Sequence, residues 1–173
     1  VSASALHPAE FFGRVVMNTV TSGLVAGAAG VTALNTVTYL DMVVRGRPAS
    51  TVPEETIDSV AASLGVRIPG RGSAMQSRRT GLGALGGIAV GLGIAVGAGL
   101  VRRTGFRLSS TAGAVAIGAG AMAATDIPIA VRGISDPRNW SVQDWLSDIV
   151  PHLAYGAAVH AVLRQQDAKL SLL

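Results

Sequence analysis

Three stretches of the chain carry no charged residue: Val15–Leu40, Thr80–Val101 and Leu108–Thr125, of 26, 22 and 18 residues. Each is close to the ~20 residues an α-helix needs to cross a hydrocarbon core, and a soluble helix of that length would carry a charged face. They predict membrane spans over about 14–44, 80–101 and 109–131. Pro8 suits the first helical position of the first span, with Phe11 and Phe12 at the interface. A fourth span, over about 142–164, opens at Ser141, which with Asp144 makes an acidic variant of the capping box. It runs through "WLSDIVPHLAYGAAVHAVL" to Arg164. The short "RRTGFR" turn makes spans 2 and 3 an antiparallel hairpin, and four crossings return both ends of the chain to one side.

Between spans 1 and 2 the pattern changes. "TVPEETIDSVAASLG" predicts an amphipathic helix over about 52–64, with Thr51 and Glu54 as a capping box and Pro53, Glu54, Glu55 and Asp58 at its start. Gly65 is placed to end it. Ile57, Val60, Ala61 and Leu64 form one apolar stripe, to be laid on the membrane, the bundle or a partner. "RIPGRGSAMQSRRT" then reads as a connector without periodicity. The expected fold is all-α: an integral membrane four-helix bundle with one short amphipathic helix in the first loop, a single transmembrane domain over residues 1–173.

Composition agrees: 49% hydrophobic residues, 14% charged, 22 glycines and a mean hydropathy of +0.47. The net charge of +4 comes from thirteen arginines and one lysine, most of them at the ends of the apolar runs, where they meet lipid headgroups. No basic stripe is interleaved with aromatics, so nucleic acid is not an expected partner. Trp140, Trp145, Tyr39 and Tyr155 read as interfacial or packing residues. Without cysteine, disulfides, thiolate metal sites and Cys nucleophiles are excluded. The start of the chain has no basic segment before a short apolar core, so no cleavable leader is expected in it.

"GLGALGGIAVGLGIAVGAGL", residues 81–100, spells G-x-G-x-x-G at Gly81, Gly83 and Gly86. A dinucleotide turn needs a preceding strand and an acid about 20 positions later. "QSRRT" is no strand and "VRRTGFRLSS" holds no acid, so no nucleotide is expected. At about 100° per residue Gly83, Gly86, Gly87, Gly91, Gly93 and Gly97 gather on one half of the helix, with Val90 and Ile94 among them, and Leu85, Ile88, Leu92, Val96 and Leu100 on the other. The glycine side predicts a groove facing protein, with span 3 the first candidate to fill it, and the bulky side a ridge facing lipid. Gly23 and Gly27 in span 1, Gly118 and Gly120 in span 3, and Gly156 in span 4 are further expected packing positions.

Acids and histidines at membrane depth are the default functional candidates. Asp126 and Asp148 lie at similar distances from the loop between spans 3 and 4, about 10 Å inside that end. Asp148 and His152 are an i, i+4 pair; Asp41 belongs to the same end and His160 has drifted around the helix. One reading is a cluster that relays protons or binds a cation, with the two carboxyls sharing a proton. The structural alternative, preferred this close to a helix end, pairs Asp148 with His152 and Asp126 with an arginine or tyrosine across the bundle. No HExxH, nucleophile elbow, Walker loop or kinase set is present, so no metal, cofactor or catalytic residue is expected, and the chain leans away from being an enzyme.

"GLVAGAAGVTALNTVTYLDMVVRGRPASTVPEE" and "DIVPHLAYGAA" resemble small bacterial inner-membrane proteins of the YagU type: a glycine-rich first span, an R-x-x-S-x-x-P-E-like connector and a last span with H-x-x-Y-G. The resemblance implies a four-span inner-membrane protein and transfers no catalytic residue. It singles out Arg47, Pro48, Ser50, Pro53, Glu54, His152, Tyr155 and Gly156. The expected role is an accessory, scaffolding or assembly subunit in the lipid bilayer, as a homo-oligomer or in a larger membrane complex. The alternative is a small transporter or proton- or cation-conducting protein using Asp126, Asp148 and His152.

Overall fold

The computed structural model describes residues 8–170, with side chains over 17–167; the side chains of Phe11 and Phe12 lie outside that range. Five α-helices follow one another: α1 Pro8–Arg45, α2 Val52–Ser63, α3 Gly72–Arg103, α4 Ser110–Val131 and α5 Val142–Leu170. No strand occurs among the described residues. α1, α3, α4 and α5 are long and apolar enough to cross a membrane, and α2 is the shorter helix of the first loop. The fold is all-α, a bundle of four long apolar helices.

The helix ends show which local signals act. At α5 the capping box closes in both directions: the Ser141 amide donates to Asp144 Oδ2 at 2.9 Å and the Asp144 amide to Ser141 Oγ at 3.2 Å. At α4, Ser109 Oγ accepts from the Ala112 amide at 3.3 Å. Gly65 takes φ +66° after α2, and the Val66 amide returns to the Ala61 carbonyl at 2.9 Å, so a left-handed residue ends that helix as its position predicts.

The capping box expected of Thr51 and Glu54 does not form. Glu54 instead accepts from the Thr80 hydroxyl of α3 at 2.9 Å, Thr51 Oγ1 donates to Glu55 at 2.7 Å, and Ser50 Oγ takes the Val52 amide at 3.2 Å. A tertiary hydrogen bond has displaced the local one. The connector expected before span 2 is also shorter, because α3 begins at Gly72. Its polar first turns are held by Arg79, which pairs with Asp58 of α2, and by Arg78 Nη1, which donates to the Pro69 and Ala74 carbonyls at 3.2 Å.

α1 packs along both α3 and α5, α5 packs along α4, and α3 meets α4 over a much smaller surface. The hairpin partner expected to fill the groove of α3 is therefore replaced by α1. The assignment of ridge and groove holds only in part: Gly83 and Gly91 are buried and Leu85, Ile88 and Leu100 exposed, but Leu92 and Val96 turn inward. A Cβ on Gly23 would come within 2.5 Å of Val96 Cα and one on Gly27 within 2.9 Å of Leu92 Cα, so two members of the supposed lipid ridge sit in a groove of α1. In return a Cβ on Gly91 would reach the Val31 side chain at 2.5 Å, and Gly91, Ala95 and Gly99 form a buried stripe at four-residue steps. Gly83 serves α2, with Pro53 Cβ at 2.9 Å from its absent Cβ. Gly118 and Gly156 lie in the α4–α5 contact, whereas Gly87, Gly93, Gly97 and Gly120 have no neighbour among the described residues within 4 Å of a Cβ. Glycines ring α3 so widely that a wheel of that helix alone cannot choose the buried edge; the side chains of α1 choose it.

Lipid supplies no hydrophobic drive between helices, so close backbone approach and dispersion hold the bundle. Its core is accordingly small: Ala26, Ala95, Ala121, Tyr155, Val159 and Leu163. Gly30, not anticipated from the sequence, makes room for Tyr155 and Val159, each within 2.7 Å of where its Cβ would lie.

Candidate functional site

The α4–α5 contact sets the depth of the polar groups. A Cβ on Gly118 would lie 2.6 Å from the His152 carbonyl oxygen, and one on Gly156 would meet the Ala114 carbonyl and stand 2.5 Å from the Gly118 amide. Two turns beyond Gly118, Asp126 then faces Asp148 and His152 closely enough for their charges to interact. Pro128 and Pro151 lie in the same two helices, two and three residues beyond these acids, and each removes a backbone donor from its helix.

His152 Nδ1 lies 2.8 Å from the Asp148 carbonyl and 3.2 Å from Asp148 Oδ1. Two acceptors at one nitrogen place the proton of the neutral ring on Nδ1. Asp148 Oδ2 is buried without a hydrogen-bond partner, and Asp126 Oδ1 accepts from Thr125 Oγ1 at 3.3 Å. Two carboxyls and an imidazole at this depth can hold and exchange a proton. Among the described residues no group of three or more His, Asp or Glu is arranged to hold a metal ion.

The remaining members of the expected cluster separate from it. Asp41 is held by Arg45 Nε and Arg47 Nε, each at 2.5 Å, and Arg45 also reaches Ser147 of α5. It shares the end of the bundle, but its charge is answered by arginines. His160 lies two turns from His152, about 12 Å along α5, buried against Gly113 with both ring nitrogens unpartnered. Thr125 and Ser147 were not anticipated as neighbours of the acids, whereas the four-residue step from Asp41 to Arg45 is legible in the sequence.

The positions singled out by the family resemblance all make structural contacts. Arg47 binds Asp41 and the Pro48 carbonyl, Ser50 receives the Val52 amide, Pro53 sits on Gly83, and Glu54 takes the Thr80 hydroxyl. Tyr155, 1% exposed, donates its hydroxyl to the Gly91 carbonyl at 2.5 Å, tying α5 to α3 beneath Gly30 of α1. Tyr39 is exposed, and Trp140 stacks edge-on against Trp145 with centroids 5.0 Å apart. Comparison with protein-family models, with curated proteins and with solved structures finds no match. The geometry therefore defines the class, a multi-span helical membrane protein, and the reading of function rests on this chain's own residues.

Proposed function

We propose that this protein is an accessory or scaffolding subunit of a bacterial inner membrane, assembling with copies of itself or with a larger membrane complex through the outward face of α3. One observation carries the reading. Gly86, Gly93 and Gly97 fall on one stripe of α3, with Val90 among them, and among the described residues no neighbouring part of the chain comes within 4 Å of a Cβ at any of the three glycines. Lipid rewards no such stripe, whereas a second helix gains close backbone contact from it. The bacterial inner membrane is the location implied by the resemblance to YagU-type proteins.

The test is purification in mild detergent with mass measured in solution. A homo-oligomer or a stoichiometric partner is expected, dispersed by Gly93→Leu with Gly97→Leu while the helical signal is kept. A monodisperse monomer before mutation sinks the reading.

Proton or cation conduction is the second reading, drawn from Asp126, Asp148 and His152. A route across the bundle would have to continue past Tyr155, whose hydroxyl is committed to Gly91, and His160, which has no hydrogen-bond partner. The polar groups thus stop short of a continuous chain. Flux through purified protein in liposomes that disappears in Asp126→Asn with Asp148→Asn would reinstate conduction as the better reading.

A further inference from the structure

α2 does not lay its apolar stripe flat on the bundle. It is fixed to α3 by Pro53 on Gly83, by Glu54 to Thr80 and by Asp58 to Arg79, and beyond those contacts the two helices border an open-sided apolar groove of about 560 Å³. Ile57, Val60 and Leu64 line one side of it, and Gly81, Leu82 and Leu85 the other. Its volume falls within the roughly 300–1,000 Å³ of small-molecule sites, but it is a groove open on one side rather than a closed pocket. No polar atom of the lining is exposed to it, and Arg67 and Arg78 contribute only their stems.

The depth of the groove identifies its occupant. Arg78 and Arg79 stand where the charged residues of α3 end and the uncharged run begins. Leu82 and Leu85 lie about 6 and 10 Å further along the axis from Arg78, inside the hydrocarbon. The groove thus runs from guanidinium groups at headgroup level into the apolar layer, the order of charge and chain that an anionic phospholipid presents in reverse sign. An extended peptide would find no polar atom there to satisfy its backbone. Leu64 and Leu85 remain 71% and 63% exposed, so the described residues leave the groove unfilled.

We propose that the groove between α2 and α3 binds one acyl chain of an anionic phospholipid whose phosphate is met by Arg67 and by the remaining N–H groups of Arg78, whose Nη1 is held by the Pro69 and Ala74 carbonyls. Leu82 of the site lies one turn before Gly86, whereas Gly93 and Gly97, the positions altered in the assembly test, lie two turns or more beyond Leu85, so the two tests read different parts of α3.

The experiment is native mass spectrometry of the full chain, solubilised in the presence of equal amounts of phosphatidylglycerol and phosphatidylethanolamine. Retention of one phosphatidylglycerol in preference to phosphatidylethanolamine is expected. Gly81→Phe is the filling variant, since nothing lies within 4 Å of a Cβ there, and the fold is checked by its thermal unfolding. It should lower retention about tenfold, the effect of displacing two chain methylenes. Arg67→Gln should keep the chain bound and reduce the preference for the anionic head about fivefold. Equal retention by a folded Gly81→Phe, no preference between the two lipids in the unmodified chain, or a peptide found in the groove would each overturn the assignment. Should Gly81→Phe fail to fold, Leu85→Ser, at an exposed wall position, supplies the same comparison.

Discussion

A methyl group added at Gly156 would meet the Ala114 carbonyl oxygen and stand 2.9 Å from the Gly118 Cα, whereas one added at Gly87 would meet nothing within 4 Å. Both glycines lie inside helices, where alanine is the better helix former by about 1 kcal/mol, so any difference between them is steric. Gly156→Ala should therefore destabilise the protein by about 1–3 kcal/mol of overpacking, and Gly87→Ala should leave it unchanged or slightly more stable. Thermal unfolding in detergent, followed by circular dichroism, separates the two. Tyr155 supplies a second residue-scale test. Tyr155→Phe keeps the ring beneath Gly30 and removes only the hydrogen bond to the Gly91 carbonyl. A loss of about 1 kcal/mol is expected, the usual size of an interhelical hydrogen bond in a membrane protein. A loss several times larger would mean that the hydroxyl organises more than this one contact.

Among the elements, the loop between α4 and α5 carries the clearest pH dependence. The Arg138 guanidinium, with Nε at 2.9 Å from Asp136 Oδ1 and Nη2 at 2.9 Å from Oδ2, holds the Asp136 carboxyl below the usual carboxylate range, and the Arg138 amide adds to it. Asp136 also caps the 3₁₀ turn Pro137–Asn139. A group whose folded value is depressed contributes above its unfolded value of about 3.9 and loses the contribution as pH falls through the folded one. Below about pH 4 the turn should therefore loosen, seen as a change in the emission of Trp140 and Trp145, and Asp136→Asn should remove that pH step. The same comparison of elements shows what the sequence could convey. The uncharged runs located α1, α3 and α4 because a charge in hydrocarbon is costly, and the Ser141–Asp144 box located the start of α5 because its partners are local. The first turns of α3 were illegible because Asp58 of another helix holds them. The facing of Asp126 and Asp148 followed from equal depth on either side of one loop, and the separation of His160 was already contained in the eight residues, about 12 Å of helix, between it and His152. The partner of α3 could not be read at all, since glycine on every side of a helix in lipid leaves the choice to its neighbours.

For the molecule as a whole, helix order fixes which connections share a side, whereas charge fails to say which side that is. With four crossings, residues 46–71 and 132–141 lie together and residues 104–109 lie opposite. Arg45, Arg47, Arg67, Arg71, Arg78, Arg79, Arg132 and Arg138 fall on the first side, against Arg14, Arg102, Arg103, Arg107, Arg164 and Lys169 on the other. Positive-inside bias counts Lys and Arg close to the membrane, and a margin of eight to six does not set an orientation. The chain has no cysteine, so single cysteines report without background. In sealed vesicles a membrane-impermeant maleimide should label Arg71→Cys and Asn139→Cys alike, and should treat Phe106→Cys in the opposite way, labelling it only when the other two are protected. Because the three positions lie in different connections, the pattern tests the number of crossings and the orientation together. Labelling of all three from one side would mean that α3 and α4 turn back within the membrane rather than cross it.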